Sequence, residues 1–460
     1  MRETSEVKRE AQTRSREGVE APANASVLDT LLTLGTTLAP VVGRGVIIRR
    51  PKVVALAEKA DADHRLVRTL QRLRSRYGSA PLRLRAPGRS IVLVLDDADM
   101  HQVLEGSPEP FATSTPEKRG ALGHFQPRGV LISHGTARAE RRRFNEAVLD
   151  TERPLHRLAG PMAAVVREEA GALLADVERT GTLDWDTFIP VWFRIVRRIV
   201  LGDSARDDHE LTDLLARLRR DANWSLLHPT RRNLRAEFLR RLRAQLDRAE
   251  PGSLAAAIAE TPENPETRPE EQVPQWLFAF DPAGMAAFRA LALLAGHPAE
   301  LGAVVEELAG RDLSAPQDLP GLRAAVLESV RLWPTTPAIL RETTTSTDLG
   351  GRTLQMKTLV VVLAPFFHRD DERLSYADHF TPRIWQDGRA RASWSLVPFS
   401  AGPAVCAGQN LVLFLTSTLL ASLLERHDVR LTSRPRLYPG RRLPGTLNPF
   451  GLRFSFAPRP

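Results

Sequence analysis

Phe399-Ser400-Ala401-Gly402-Pro403-Ala404-Val405-Cys406-Ala407-Gly408 holds the one cysteine of a 460-residue chain. An aromatic residue and a Gly-Pro turn precede the sulfur, and the apolar run after Gly408 predicts a helix over 410–424. A thiol at a helix start meets aligned peptide dipoles, which lower its pKa and favour the thiolate. One cysteine forms no intramolecular disulfide framework and suits a reducing compartment. It is too few for a structural zinc site, and no histidine signature supplies the base a nucleophilic cysteine needs. Two readings stay open: a small buried hydrophobe, the usual fate of a lone cysteine, and an axial thiolate ligand to heme iron, a role that needs one sulfur only.

Upstream, Leu327-Glu328-Ser329-Val330-Arg331-Leu332-Trp333-Pro334 places Glu328 and Arg331 one helical turn apart. On a solvated face such a pair is worth little. Here apolar residues flank it, and Pro334 ends the helix directly after it.

Taken together, these residues resemble the cytochrome P450 (P-450) superfamily in its bacterial soluble form. Phe399–Gly408 is similar to that family's heme-binding loop, Glu328–Pro334 to its Glu-x-x-Arg helix, and Phe367-His368-Arg369-Asp370 to the segment that follows. The resemblance runs over residues 45–455. It implies a mainly α fold with small β-sheets (α+β), a single large domain and a heme b (iron protoporphyrin IX) cofactor. Cys406 is then the thiolate ligand. Phe399 packs beside the sulfur, Gly402 makes the turn and Gly408 lets the porphyrin approach. Arg341, Arg138 and Arg142 are expected to face the heme propionates, since guanidinium forks suit carboxylates. Glu328 and Arg331 form a structural pair beneath the cofactor.

Three departures from the family pattern bear on the chemistry. Ala404 stands where an arginine or histidine would contact a propionate. Ile384 occupies the position of an arginine expected to join Glu328 and Arg331. In Gln275–Pro298 the usual acid–threonine pair has two possible matches. Matching letters places Ala283-Gly284 on the family's Ala-Gly; matching distance to His297-Pro298 places Asp281 on the acid and Pro282 on the alcohol. Helix length governs where the iron sits, so the second match is preferred. A proline inside a helix costs about 3 kcal/mol and frees the carbonyl four residues back, here Phe278. The missing hydroxyl is replaced by a substrate hydroxyl or amine, bypassed by peroxide, or unnecessary because the reaction is not ordinary hydroxylation. An Asp281 facing the ligand favours a basic or hydroxylated one. The expected pocket comprises Phe278, Ala279, Phe280, Asp281 and Pro282, with Pro337, Ala338 and Ile339 and the 106–133 segment.

The rest of the chain frames this site. Lysine plus arginine number 64 against 55 acids, a formal net charge of +9, carried almost wholly by arginine. The arginines are scattered over amphipathic helices without a binding motif, so an acidic protein partner or buried anionic groups fit better than nucleic acid. Residues 1–25 read as a disordered arm ahead of one domain over 26–460. The apolar stretch Leu28–Ile48 is broken by Asp29, Pro40 and Arg44, so no transmembrane anchor is expected and the segment reads as packed. Helical spacing predicts helices over 53–76, 97–104, 138–149, 154–179, 183–201, 208–222, 230–249, 271–296, 298–309 and 319–332. Short strands are expected at 91–95, 339–344 and 359–363, hairpins after Val429, and an irregular loop over 106–133. The expectation is a cytoplasmic, monomeric heme-thiolate monooxygenase. It oxidises a small organic molecule of specialised metabolism with electrons from a ferredoxin and ferredoxin reductase. The alternatives are a peroxide-dependent or non-oxygenating heme-thiolate enzyme and a non-catalytic heme protein that binds a ligand.

Overall fold

The computed structural model describes residues 20–225 and 228–459. Its axis is the helix Pro269–Gly296, which begins at a proline in the first turn with Glu270 and Glu271 beside it. Acidic side chains suit the positive end of a helix dipole, and proline suits a position that has no intrahelical acceptor for its N–H. The apolar 18-residue window of this helix is 78 % buried inside the protein. Its hydropathy therefore serves the core. Around it pack Trp185–Leu201, Pro320–Leu332 and Gln409–Leu424, and Ala159–Thr180 lies against the first and last of these. Trp192, Phe288 and Phe414 sit fully buried in the shared cluster.

A second, smaller core lines a six-stranded sheet. Its strands run in the order Ala23–Asn24, Leu82–Leu84, Ile91–Leu93, Leu359–Leu363, Ala338–Thr343 and Phe111–Ala112. Leu359–Leu363 is buried at every position, as a run of β-branched residues flanked by strands on both sides should be. It pairs in parallel with Ile91–Leu93 and antiparallel with Ala338–Thr343. The register sets Arg341 opposite Val360, on the buried face of its strand.

Several expectations are corrected. The arm over 1–25 is shorter than expected, because Ala23–Asn24 joins the sheet beside Leu82 and Arg83; residues 1–19 lie outside the described residues. The stretch expected to be one helix over 53–76 is two, Pro51–Lys59 and Ala62–Tyr77, broken where Asp61 takes φ 48°. The 106–133 segment contains the helix Pro116–Leu122, whose Thr115 cap accepts from the Lys118 N–H. Thr-Pro is a helix-start signal, outweighed in the sequence by the surrounding Gly and Pro. The helix expected over 154–179 starts only at Ala159. After Val429, in place of hairpins, Arg453–Pro458 pairs antiparallel with His427–Leu431 on one side and with Leu183–Asp184 on the other.

Candidate functional site

The cysteine loop is held by its own backbone. The Cys406 N–H donates to the Phe399 carbonyl (2.9 Å) and the Val405 N–H to the Gly402 carbonyl (3.0 Å). Gly402 has φ +64°, and a Cβ there would strike the Leu104 carbonyl. Glycine is needed at this position on both counts. Gly408 is different: a Cβ would meet only Leu149 Cδ1 at 3.9 Å, so no protein atom demands a glycine. The space it leaves is open to a flat group. Phe399 packs against the helical core cluster.

The expected low pKa of the thiol is corrected by its surroundings. Burial pushes the Cys406 thiol up, while the Gly408 N–H and the Arg142 guanidinium pull the other way. The helix Gln409–Leu424 starts three residues beyond the sulfur, so only the Gly408 amide reaches it. A half-buried sulfur of this kind becomes a thiolate when a metal cation takes it as ligand.

Arg142 has a different task from the one expected. Its guanidinium donates to the Val405 carbonyl (2.6 Å) and to Glu146 (2.5 Å), so it fastens the cysteine loop to Gly135–Leu149. Thr151 secures the next residue through the Ala407 carbonyl (2.8 Å). Arg138, one turn before Arg142, has its Nε buried without a partner. Burial, with Arg142 adding to it, holds its pKa down. Arg341 is 3 % exposed and donates to Ser107 Oγ (2.7 Å) and the Leu340 carbonyl (3.1 Å). Burial, and then the charge of Arg138, brings its pKa to about 10. Lys118, which sequence reasoning missed, donates to the Thr113 and Leu340 carbonyls (2.9 and 3.1 Å), and burial and Arg341 hold it well below the lysine range. These cations lie within electrostatic reach of one another, and neither Arg138 nor Arg341 has a carboxylate partner among the described residues. A buried charge without a counter-charge is costly. A ligand with two carboxylates supplies what is lacking, and the heme propionates have that chemistry.

Glu328 and Arg331 are fully buried and meet through two bonds of 2.6 and 2.9 Å. Arg331 also donates to the carbonyls of His368 (3.0 Å), Ala377 (2.9 Å) and His379 (2.7 Å). Glu328 accepts from the Thr381 N–H (2.8 Å) and from Trp385 Nε1 (2.9 Å). The indole of Trp385 thus fills the role left vacant at Ile384, which is itself buried in the core. The network continues to the cysteine loop, since His368 Nε2 accepts from the Val397 N–H (3.0 Å). Burial, helped by Arg331, lowers the His368 pKa to about 3, which keeps the ring neutral and able to accept.

Successive residues of the long helix address different neighbours. Phe280 and Gly284 face Trp192, whose Nε1 donates to the Phe280 carbonyl (2.7 Å); a Cβ on Gly284 would lie 2.8 Å from that indole. Gly284 is therefore a packing glycine. The Phe280 ring lies edge-on to Trp192 in the core, away from the pocket role expected of it. Asp281 and Met285 face a cavity of about 380 Å³ between this helix, Trp185–Leu201 and His209–Ala222, with Ile189, Phe193 and Leu215 on its walls. There Asp281 accepts from Arg219 at 2.5 Å, and the same guanidinium donates to the Ile47 carbonyl (3.1 Å) and lies 4.9 Å from the centre of the Phe278 ring. The Asp281 charge is thus answered within the protein, and the preference for a basic ligand falls away. Phe278 meets Phe125 edge-on. Ala286, on a further face, has its carbonyl bonded by Ser329 of the Glu-Arg helix (2.8 Å). Ala279 and Pro282 precede it at helical spacing. The helix runs unbroken through Pro282. Pro337 lines a small cavity beside Met285, whereas Ala338 and Ile339 pack with the sheet core.

Comparison with known proteins agrees with this site. The family model Cytochrome P450 matches residues 279–445. The cyclooctat-9-en-7-ol 5-monooxygenase of Streptomyces melanosporofaciens is 32 % identical over 146 residues, 30 % of this chain and 32 % of that protein. The drimenol monooxygenase of Persicaria hydropiper is 31 % identical over 154 residues, 31 % of this chain and 30 % of that protein. The matched stretch thus spans about a third of the length of these curated relatives. At the level of fold, structures of a zebra fish cytochrome P450 with abiraterone and with progesterone superpose with TM-scores of 0.65 and 0.67 at 19 % identity. They cover 85 % of this chain, and it covers 98 % and 99 % of theirs. Proteins of that family hold heme through a cysteine thiolate, and the one cysteine of this chain lies within the matched residues. Residues 279–445 are thus similar to the cytochrome P450 family, and the chain has the fold of solved cytochrome P450 structures.

Proposed function

We propose that this protein is a heme-thiolate monooxygenase that oxidises a small, largely apolar molecule carrying a hydroxyl group, with electrons from a ferredoxin and its reductase. The observation that carries the reading is the pair of buried guanidiniums, Arg138 and Arg341, without a carboxylate partner among the described residues. Arg138 lies one helical turn from Arg142, which fastens the Cys406 loop, and Arg341 lies on the buried face of its strand. When bound, heme supplies the activation of dioxygen. The chain's own groups do the rest. Cys406 would supply the thiolate ligand, Arg138 and Arg341 would neutralise the propionates, and the Glu328–Arg331 network holds the loop in register through His368. In the long helix Pro282 lacks an N–H, so the Phe278 carbonyl is freed to accept a proton donor. A hydroxyl on the substrate takes the place of the missing side-chain alcohol. The names of the two monooxygenase relatives, each an alcohol, support that substrate class. Exposed Arg383, Arg389 and Arg391, which precede Cys406 by fewer than 25 residues, suit an acidic electron donor.

The test has two parts. The reduced protein with carbon monoxide should show a red-shifted Soret band that Cys406→Ala abolishes; a band that persists defeats the ligand assignment. Reduced ferredoxin plus dioxygen should then oxidise hydroxylated apolar compounds but not their deoxy analogues. Turnover with peroxide alone would transfer the assignment to a peroxide-dependent enzyme, and spin-state shifts without turnover to a ligand-binding protein.

A further inference from the structure

Two cavities share a wall on one face of the long helix. The larger, about 380 Å³, is the one that Asp281 faces, and Trp185, Ile189, Phe193 and Leu215 give it an apolar lining. The smaller, about 30 Å³, lies between the long helix, the chain that follows the Glu-Arg helix and the 446–450 segment. Arg49, Met285 and Phe450 line both. The charge around the smaller cavity is unbalanced. Arg44, Arg49 and Arg289 line it, against one acid, Asp63. Asp63 is spent on Arg44, which grips it through two bonds of 2.7 Å. Asp281, in the larger cavity, is likewise spent on Arg219. Arg49 and Arg289 have no carboxylate partner among the described residues. Arg289, 8 % exposed, donates to the carbonyls of Leu447 (2.7 and 3.1 Å) and Trp333 (3.1 Å). Arg49 donates to those of Gly45 and Thr335, the latter at 2.5 Å. Carbonyls take up some of the N–H donors and leave the charge unanswered. Glu58, a further acid within electrostatic reach of Arg289, is occupied by the Asn448 N–H (2.8 Å). Burial, and then the charge of Arg49, brings the Arg289 pKa to about 9; burial, and then Arg44, brings that of Arg49 to about 10.

We infer that the two cavities form one site for an amphipathic carboxylate, whose apolar body fills the larger cavity while its carboxylate lies in the smaller one between Arg49 and Arg289. The volumes suit that division. A cavity of about 30 Å³ admits one small polar group, and one of several hundred Å³ takes the body of a small molecule. The chemistry suits it too. A carboxylate answers both guanidiniums with charge-assisted bonds, whereas a neutral hydroxyl in the same place leaves two buried charges uncompensated. The acids nearby do not repel it, because Asp63 and Asp281 are each neutralised by an arginine of their own. Of the remaining charged groups on the larger cavity, Arg197 has Asp213 within electrostatic reach. For turnover this rests on the monooxygenase reading, to which it adds a substrate class: an apolar acid that also carries a hydroxyl. Binding of the acid stands apart from turnover.

The test is calorimetric binding of ω-hydroxylauric acid, its methyl ester and the corresponding diol to the heme-loaded full chain. The acid should bind at least about tenfold more tightly than the ester or the diol, as a charge-assisted contact provides. Arg49→Gln and, separately, Arg289→Gln, each with its carbon monoxide spectrum intact, should remove that preference and leave the ester unaffected. Arg49→Lys, which keeps the charge, should retain most of it. The inference is overturned if the acid binds no more tightly than the ester, or if neither glutamine variant alters the preference. It is equally overturned if chloride, set against gluconate at equal ionic strength, protects the parent from thermal unfolding and the acid does not, which gives the site to an inorganic anion. Acid-selective binding without oxidation by reduced ferredoxin and dioxygen defeats the monooxygenase reading and leaves this site standing; oxidation of the diol with no preference for the acid does the opposite.

Discussion

At the scale of single residues, the charges that matter are those whose partner is decided by a long approach of the chain. Asp281 and Arg219 lie 62 positions apart and meet with side chains 12 % and 4 % exposed. Removing one member of a buried pair strands the other, at about 3–5 kcal/mol. Arg219→Leu should therefore lower the unfolding free energy read from urea titration by that amount, and Arg219→Leu with Asp281→Leu should recover most of it. If the single and double variants are equally unstable, the pair is not coupled. His368 gives a pH signature. Its folded pKa, about 3, lies below the ordinary value near 6.5, so the unfolded chain binds the proton first as pH falls. Its contribution is thus fully present above about pH 6.5 and is lost at up to about 1.4 kcal/mol per unit on the way down. His368→Asn, which keeps an acceptor for the Val397 N–H, should flatten that part of the stability profile relative to the parent. A third expectation concerns Arg138: Arg138→Leu should raise the heme dissociation constant about tenfold, as loss of one charge-assisted contact does, measured by transfer to apomyoglobin.

At the scale of elements, the three-residue spacing of Glu328 and Arg331 and the glycines around Cys406 were readable because each is a local requirement. A turn needs φ +64° at Gly402, and a helix brings residues three apart together. The partners these groups recruit were not readable. Trp385 reaches Glu328 across 57 residues, and Arg142 reaches the Val405 carbonyl across 263, so neither distance has a trace in local pattern. The same holds for the segment Val27–Gly43, whose polar residues meet Tyr77, Arg85 and Thr69, far along the chain. For the Glu-Arg helix the expected outcome is specific. Trp385→Phe removes one bond to a buried carboxylate, worth about 1.5–3 kcal/mol. It should lower thermal stability and the fraction of protein giving the red-shifted carbon monoxide band. Ile384→Arg should not rescue it, because that position is fully buried.

At the scale of the whole molecule, the strand order of the sheet has a consequence for synthesis. Leu359–Leu363 is the third-from-last member of the row in space but the last in sequence, and it joins Ile91–Leu93 to Ala338–Thr343. On a ribosome adding about 10 residues per second, the first strands wait on the order of half a minute for it. Throughout that wait a strand edge that is later covered stands open, the arrangement most prone to pair with a neighbouring nascent chain. A fragment ending at residue 350 should accordingly aggregate on translation, whereas one ending at 400 should collect in the soluble fraction with chaperones. The cysteine follows only after the sheet can close. Heme capture through Cys406 would therefore follow closure of the sheet, and the yield of loaded protein should respond to slowed translation more than to added heme.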